Sequence, residues 1–375
     1  MRRFKRAPSF RRWSSSDDGW DDASLLEMTD EARESLQKGT LSPMMMETVS
    51  DILEALIFEE STPRAAEFDI ILKSHLDKLL EDLITAPPSH SNPGRNVFTD
   101  LVSKAKCLHN RWLKRFQSRY LHIDDVRMRK LQEDGALHDF ALACDLKEVG
   151  YFYQNERTCP SQNRDREGAT EHCYQTGQWW LNLRSAHRDK IVSKSIETIS
   201  KGQHGMITLP MLTGSEVDGD IPGTVRFVRT GRMVDMHIGL MQQVGQTIRV
   251  LRGHMLRSKY APWAGIRYDG LYVLRRYGQT RDQGTDICHL NITLERLGGQ
   301  RPVEELMRIP LPSQLDDWYQ YKRMLGADIL TREGEAAFSQ WKMEQEAEVK
   351  EKADWLKDNH FQEAIRDTAK EIFAL

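Results

Sequence analysis

Apolar residues recur along this chain with two different periods, and the change of period divides it. Between residues 44 and 85, Val49, Ile52, Leu53, Leu56 and Ile57 fall at helical spacing, and so do Phe68, Ile71, Leu72, Leu76, Leu79, Leu80 and Leu83. Each set lays one apolar stripe along a helix, so two amphipathic helices are predicted, with a packed core as their common purpose. Ser61, Thr62 and Pro63 separate them. Leu101, Ala105, Leu108, Trp112 and Phe116 predict a third helix over Thr99–Tyr120, capped by Thr99 or Asp100, and a fourth runs over Ile123–Cys144. Near residue 246 the period falls to two. Ile248 and Val250 alternate with polar neighbours in a run that Gly253 closes, Tyr268–Leu274 begins a second strand, and Ile287–Leu294 a third. Beyond Gly334 the pattern is a charged, solvent-facing helix, with a better apolar stripe at Phe361, Ala364, Ile365, Ile372 and Phe373. Residues 154–176 have no period and read as a linker.

Composition changes this picture little. A 375-residue chain with 39% hydrophobic and 29% charged residues suits a soluble protein of about two domains. No apolar run approaches the ~18 residues a membrane span needs. A net charge of −3 does not announce a polyanion as partner. Charge is unevenly spread, however: Gly245–Pro310 holds 11 Lys and Arg against 6 Asp and Glu. The first 13 residues carry six arginines and lysines and no acid, which fits a nuclear signal, a DNA-touching tail, a mitochondrial presequence or a plain solvated end. The five cysteines are scattered and include no CxxC pair, which favours a reducing compartment and excludes a zinc RING or PHD finger; Cys159, His172 and Cys173 match no zinc spacing.

One stretch organises the rest. Arg249-Val-Leu-Arg252 leads to Ser258-Lys-Tyr-Ala-Pro262, then Gly265-Ile-Arg-Tyr-Asp-Gly-Leu-Tyr272, and Leu294-Glu-Arg-Leu-Gly-Gly-Gln300 closes the series. In order and spacing these segments resemble the SRA-YDG family, and Gly177-Gln-Trp-Trp180 resembles its opening segment. The resemblance implies an α+β chain: a PUA-like/SRA β-barrel domain flanked by an N-terminal helical domain and a C-terminal helical tail. The divisions are then a basic disordered tail (1–43), a helical domain (44–153), the linker (154–176), the SRA-YDG domain (177–322) and a helical extension (323–375). It also implies a nuclear protein that binds duplex DNA, with methylated cytosine as the base to be flipped and read, no cofactor, no metal, no membrane and no enzymatic step. Chromatin proteins are expected partners of the helical ends.

A base-flipping site needs stacking surfaces and an acceptor for the cytosine amine. By the family's spacing, Ser215 stands on the first aromatic position, Asp218 on the acid and Phe227, 12 residues after Ser215, on the second aromatic. One stacking face is therefore lost, and only 13 residues lie between Gly231 and Gly245, where family members carry a basic finger. Arg249, Arg252, Arg257, Lys259 and Arg267 are the expected phosphate contacts. Tyr268, Asp269 and Gly270 are expected to be structural, with Asp269 capping backbone N–H groups at a turn. Pro210 marks its strand as an edge or a bulge. A degenerate YDG scaffold that binds proteins is the competing reading. An attached enzyme is the third, without a phosphate-binding loop, paired metal carboxylates or a nuclease cluster to carry it.

Overall fold

A computed structural model describes residues 14–15, 19–39, 41–86, 95–133, 135, 137–138, 174–202 and 205–359. They fall into two compact units, one within residues 1–130 together with Leu311–Asp316, the other within 131–310 together with Asp317–Leu375. The basic start, most of the expected linker and the stripe from Phe361 onward lie outside the described residues, as does the end of the helix expected to reach Cys144.

The first unit is helical: α1 (Asp22–Gln37), α2 (Pro43–Glu59), α3 (Phe68–Ser74), α4 (Leu76–Thr85), α5 (Arg95–Phe116), α6 (Ser118–Leu121) and α7 (Ile123–Glu133). Helix α1 lies in the stretch expected to be a tail. Leu25, Met28 and Ala32, at helical spacing, put it in the same core as Leu53, Leu80, Leu108 and Trp112. The expected second helix is two, because His75 takes a left-handed conformation (φ 53°) between α3 and α4. Helix α5 begins before Thr99 and Asp100, so neither is its cap. The core also holds ions. Asp316 accepts from Arg33 Nη1 and Nη2 at 2.7 and 3.1 Å and lies 2.7 Å from His75 Nδ1, and Arg33 Nε donates to Asp82 at 2.7 Å. Burial raises the Asp316 carboxyl pKa, but His75 and Arg33 outweigh it and hold it well below the usual carboxylate range.

The second unit is built on one mixed sheet. Its strands are β1 (Trp179–Trp180), β2 (Ser200–Lys201), β3 (Ile207–Met211), β4 (Ser215–Asp218), β5 (Thr224–Gly231), β6 (Thr247–Gly253), β7 (Ile266–Arg281) and β8 (Cys288–Arg296), with the short helix α8 (Leu183–Arg188) after β1. They are ordered β2-β3-β6-β7-β8-β5-β4, with β1 on β7. Only β3 and β6 run parallel. Pro210 sits in β3 beyond the two residues that pair with β2, so its missing N–H costs no ladder bond there. The sheet curls until its β4 edge meets the segment after β6: Glu216 N donates to Arg257 O at 2.9 Å and Arg257 N to Gly214 O at 3.0 Å. The result is a nearly closed barrel, as expected of a PUA-like domain. Leu209, Phe227, Ile248, Val250, Leu274 and Ile292 fill it. Trp180, Leu183, Ile191, Leu251, Ile266 and Tyr268 form a second apolar layer outside β6 and β7.

The unit ends in helices α9 (Val303–Leu306), α10 (Pro312–Glu333) and α11 (Glu335–Asp358). Pro312 opens the 22-residue α10, where its missing N–H is not needed in the first helical turn.

Candidate functional site

The barrel interior carries charge where β6 and β7 cross. Val250 pairs with Gly270 and Leu251 with Tyr268, so Asp269 is the extra residue of a β-bulge. The bulge changes which residues face inward. After it, Tyr272 and Leu274 join the interior cluster; before it, Arg267 and Asp269 do, while Tyr268 joins the outer apolar layer. Gly270 makes this possible. Its φ is +106°, and a Cβ there would lie 2.3 Å from Gln300 Oε1. Gln300 clips the bulge in place, accepting from Leu271 N at 2.7 Å and donating to Leu271 O and Leu297 O, both at 2.9 Å.

Asp269 accepts from Arg252 Nη1 at 2.6 Å and from Arg267 Nε and Nη2 at 2.5 and 2.8 Å. Arg252 also donates to both oxygens of Glu216, at 2.8 and 2.5 Å, and to the Tyr272 hydroxyl at 3.0 Å. Ser258 Oγ adds a 2.6 Å bond to Glu216. Two guanidiniums and two carboxylates, all without solvent exposure, thus balance one another. Burial opposes the charge on Arg252, but Glu216, Tyr272 and Asp269 outweigh it and hold its pKa well above the ordinary value. Likewise burial raises the Asp269 carboxyl pKa, and Arg267 and Arg252 bring it below the ordinary value.

Three expected phosphate contacts are corrected by this arrangement. Arg252 and Arg267 have no accessible surface, and beyond Asp269 Arg267 donates to Leu306 O and Ile309 O at 2.7 and 3.1 Å and to Tyr260 O at 2.5 Å. Arg249 is buried with its guanidinium 5.0 Å from the Tyr174 ring centre. None of the three reaches solvent to meet a phosphate. Arg257 and Lys259 do, though each has an acidic partner: Glu351 for Arg257, and Asp218 for Lys259 at 2.5 Å. Asp269 is structural through these arginines rather than through backbone N–H groups, which corrects its expected capping role.

The three residues expected to line one base pocket do not converge either. Ser215 stands opposite Val228 and Glu216 opposite Phe227, so Ser215 and Phe227 point to opposite faces of the sheet. Phe227 is fully buried in the core. Asp218 alone faces a cavity, of about 420 Å³, at the mouth of the barrel. The loop from Asp218 to Val225 forms one wall, Tyr260 and Arg296 the other, and Tyr272 and Arg252 the floor. Asp218 accepts from the Tyr260 hydroxyl at 2.7 Å as well as from Lys259. Burial raises its pKa, but those two hydrogen bonds outweigh it, so the carboxyl lies below its ordinary value and is ionised at neutral pH. Tyr260 was within reach of sequence reasoning as part of the Ser258–Pro262 segment; only the fold reveals that it faces Asp218.

Among the described residues no group of three or more His, Cys, Asp or Glu is placed to hold a metal ion, and no helix is long and apolar enough to cross a membrane.

No family model matches the chain. It is 22% identical over 156 residues to a UHRF1-like protein of Cryptococcus neoformans var. grubii, a match covering 34% of this chain and 46% of that relative. The motif segments of the second unit, which build the bulge and its Gln300 clip, resemble those of an SRA-YDG domain. The chain spans under half of the relative's length. Solved structures similar to it include the SUVH5 SRA domain in complex with fully methylated CG DNA, at 18% identity over 35% of this chain and 95% of that one, with a TM-score of 0.26. Another is Arabidopsis thaliana SUVH6 in complex with SAM, at 18% identity over 45% of this chain and 33% of that one, with a TM-score of 0.29. A third is the modification-dependent TagI restriction endonuclease, at 18% identity over 34% and 51% of the two chains, with a TM-score of 0.26.

Proposed function

We propose that this chain is a nuclear reader that binds duplex DNA through its SRA-YDG domain and that the cavity at the barrel mouth receives a cytosine or 5-methylcytosine swung out of the helix. The observation that carries this reading is the ionised Asp218 at the cavity rim beside Tyr260. A carboxylate is the acceptor that a cytosine exocyclic amine requires, and a phenol ring beside it offers a stacking face. A volume of about 420 Å³ lies in the range of small-ligand pockets. Lys259 stands at the same rim, where a swung-out nucleotide brings its phosphate. The reading includes no catalytic step.

The test is equilibrium binding, by fluorescence anisotropy, to matched duplexes with plain, hemimethylated and fully methylated cytosine. Asp218→Asn removes a hydrogen bond to a charged acceptor, worth about 1.5–3 kcal/mol. It should weaken binding to the preferred duplex roughly ten- to a hundredfold and erase the preference among the three. Tyr260→Phe should have the smaller effect, because the ring stays. If Asp218→Asn leaves affinity and preference unchanged, the cavity takes no base. One observation favours a second reading, in which the domain is a scaffold for chromatin proteins: three of the five expected phosphate contacts are buried, two of them inside the barrel. Absence of duplex binding by the intact chain at 50 mM salt would establish that reading over the first.

A further inference from the structure

The buried arginines leave open which cations hold a DNA backbone. The outer face of β5, β8 and β7 has an ordered set of side chains that neither the motif nor the cavity uses. Thr293 of β8 stands opposite Arg226 of β5 on one side and Arg276 of β7 on the other. The next outward position, Asn291, stands between Val228 and Gly278, and the third, His289, between Thr230 and Thr280. The core-facing alternates Cys288, Leu290 and Ile292 are fully buried, so this grid is the solvent side of the sheet.

The chemistry of the grid is one-sided. It contains two guanidiniums, hydroxyls, an amide and an imidazole, and no carboxylate. Glu295 bounds it at one end, paired with Arg275, and Asp282 at the other, 3.2 Å from His289 Nε2. Arg226 and Arg276 are both exposed, and neither has an ion-pair or hydrogen-bond partner among the described residues. They differ in this from Arg257, Lys259, Arg275 and Arg281, each of which is already paired with an acid. Two strand spacings separate the two guanidinium-bearing positions, about 10 Å. That is roughly the axial rise of three nucleotide steps along one DNA strand. Arg, Thr and Asn are also the residues that contact phosphate and sugar without reading sequence. Gly278 leaves the β7 side of the middle row without a side chain, so a backbone can approach closely there.

We infer that the outer face of β5, β8 and β7 is a phosphate-contact surface for duplex DNA, with Arg226 and Arg276 as its two charge contacts and Thr293 and Asn291 as neutral donors between them. This rests on the duplex-binding reading above and is separable from it. Each neutralised phosphate contributes about 0.9 to the slope of log K against log salt.

The experiment measures the binding of the intact chain to a plain-cytosine duplex across a salt series. The double variant Arg226→Ala/Arg276→Ala should weaken binding at least tenfold, equally for plain and methylated duplexes, and lower the salt slope by about 1.8. Arg226→Lys/Arg276→Lys should keep the slope. Lys201→Ala, an exposed cation on β2, controls for simple loss of net charge and should change the slope by less than half as much. If the alanine pair matches wild type in affinity and slope while wild type binds DNA, the surface assignment is wrong and the cavity reading stands untouched. If the alanine pair and Lys201→Ala lose the same slope, the attraction is diffuse and the assignment also fails. If wild type binds no duplex at all, both fail together.

Discussion

Replacing Asp269 by alanine removes the carboxylate that holds two fully buried guanidiniums. The structure gives three bonds to lose, from Arg252 Nη1 at 2.6 Å and from Arg267 Nε and Nη2 at 2.5 and 2.8 Å. Charge-assisted bonds of this kind are worth about 1.5–3 kcal/mol each, but Asp269 also ceases to be desolvated, which offsets part of the loss. Removing one partner of a buried pair typically costs about 3–5 kcal/mol, because the other charge stays in low dielectric without compensation. For a unit of this size, each kcal/mol shifts the melting temperature by about 2–4 °C, so a fall of roughly 6–20 °C is expected. Differential scanning calorimetry at pH 7 measures it. Arg267→Met/Asp269→Leu, which removes the pair together, should melt above Asp269→Ala although it breaks more bonds, since no charge is stranded and Glu216 still balances Arg252. A melting point within 3 °C of wild type for Asp269→Ala would refute the argument, as would a double variant that falls below the single. Acid should act the same way. The folded carboxyl has a depressed pKa, so its stabilisation is present above the ordinary carboxylate range and is lost as pH falls through and below it.

Gly270→Ala places a methyl group 2.3 Å from Gln300 Oε1 at a φ of +106°, and should destabilise the second unit by about 1–3 kcal/mol or more in chemical denaturation. Lys352 Nζ donates to His254 O at 2.8 Å and Pro262 O at 3.2 Å over the Trp263 ring; burial, with Arg267 nearby, lowers its pKa to about 7. Its folded pKa lies below the unfolded one, so the unfolded chain binds the extra proton, and the second unit should gain stability as pH rises from about 7 to 10. Lys352→Met should flatten that rise in a melting series. In the first unit, Asp316→Ala removes two of the three bonds that Arg33 makes to carboxylates and leaves it Asp82 alone, which should cost about 1.5–3 kcal/mol, seen as early melting of the helical signal.

Alternation located β6, β7 and β8, because a half-buried strand records its own faces, but the period change near residue 246 came after five strands of the same sheet, whose short or buried runs carry no clear alternation. The bulge is harder to read. It turns on a single residue, and counting alternation through Tyr268 puts Asp269 and Arg267 on the wrong side. The buried arginines were missed for the same reason. A basic strand reads as a wet surface until its acids are located, and Glu216 lies on a strand 36 residues away from Arg252. Ser215 and Phe227 were matched by an interval along the chain, whereas a pocket is set by the face of a sheet, which reverses at every residue. Helix α1 was hidden by the basic residues before it, although Leu25, Met28 and Ala32 already carried the stripe.

The bulge at Asp269 bears on how such chains are to be recognised. Tyr268, Asp269 and Gly270 face the apolar outer layer, the charge cluster and Gln300, and none of them touches the cavity. These three residues therefore serve the architecture itself, and this barrel needs them to fold whether or not it holds nucleic acid. A search by that spelling collects barrels, whatever they hold. To sort readers from scaffolds, a survey should weigh the position of Asp218, its neighbour at Tyr260 and the outward rows of the sheet, where residues can change without threatening the fold.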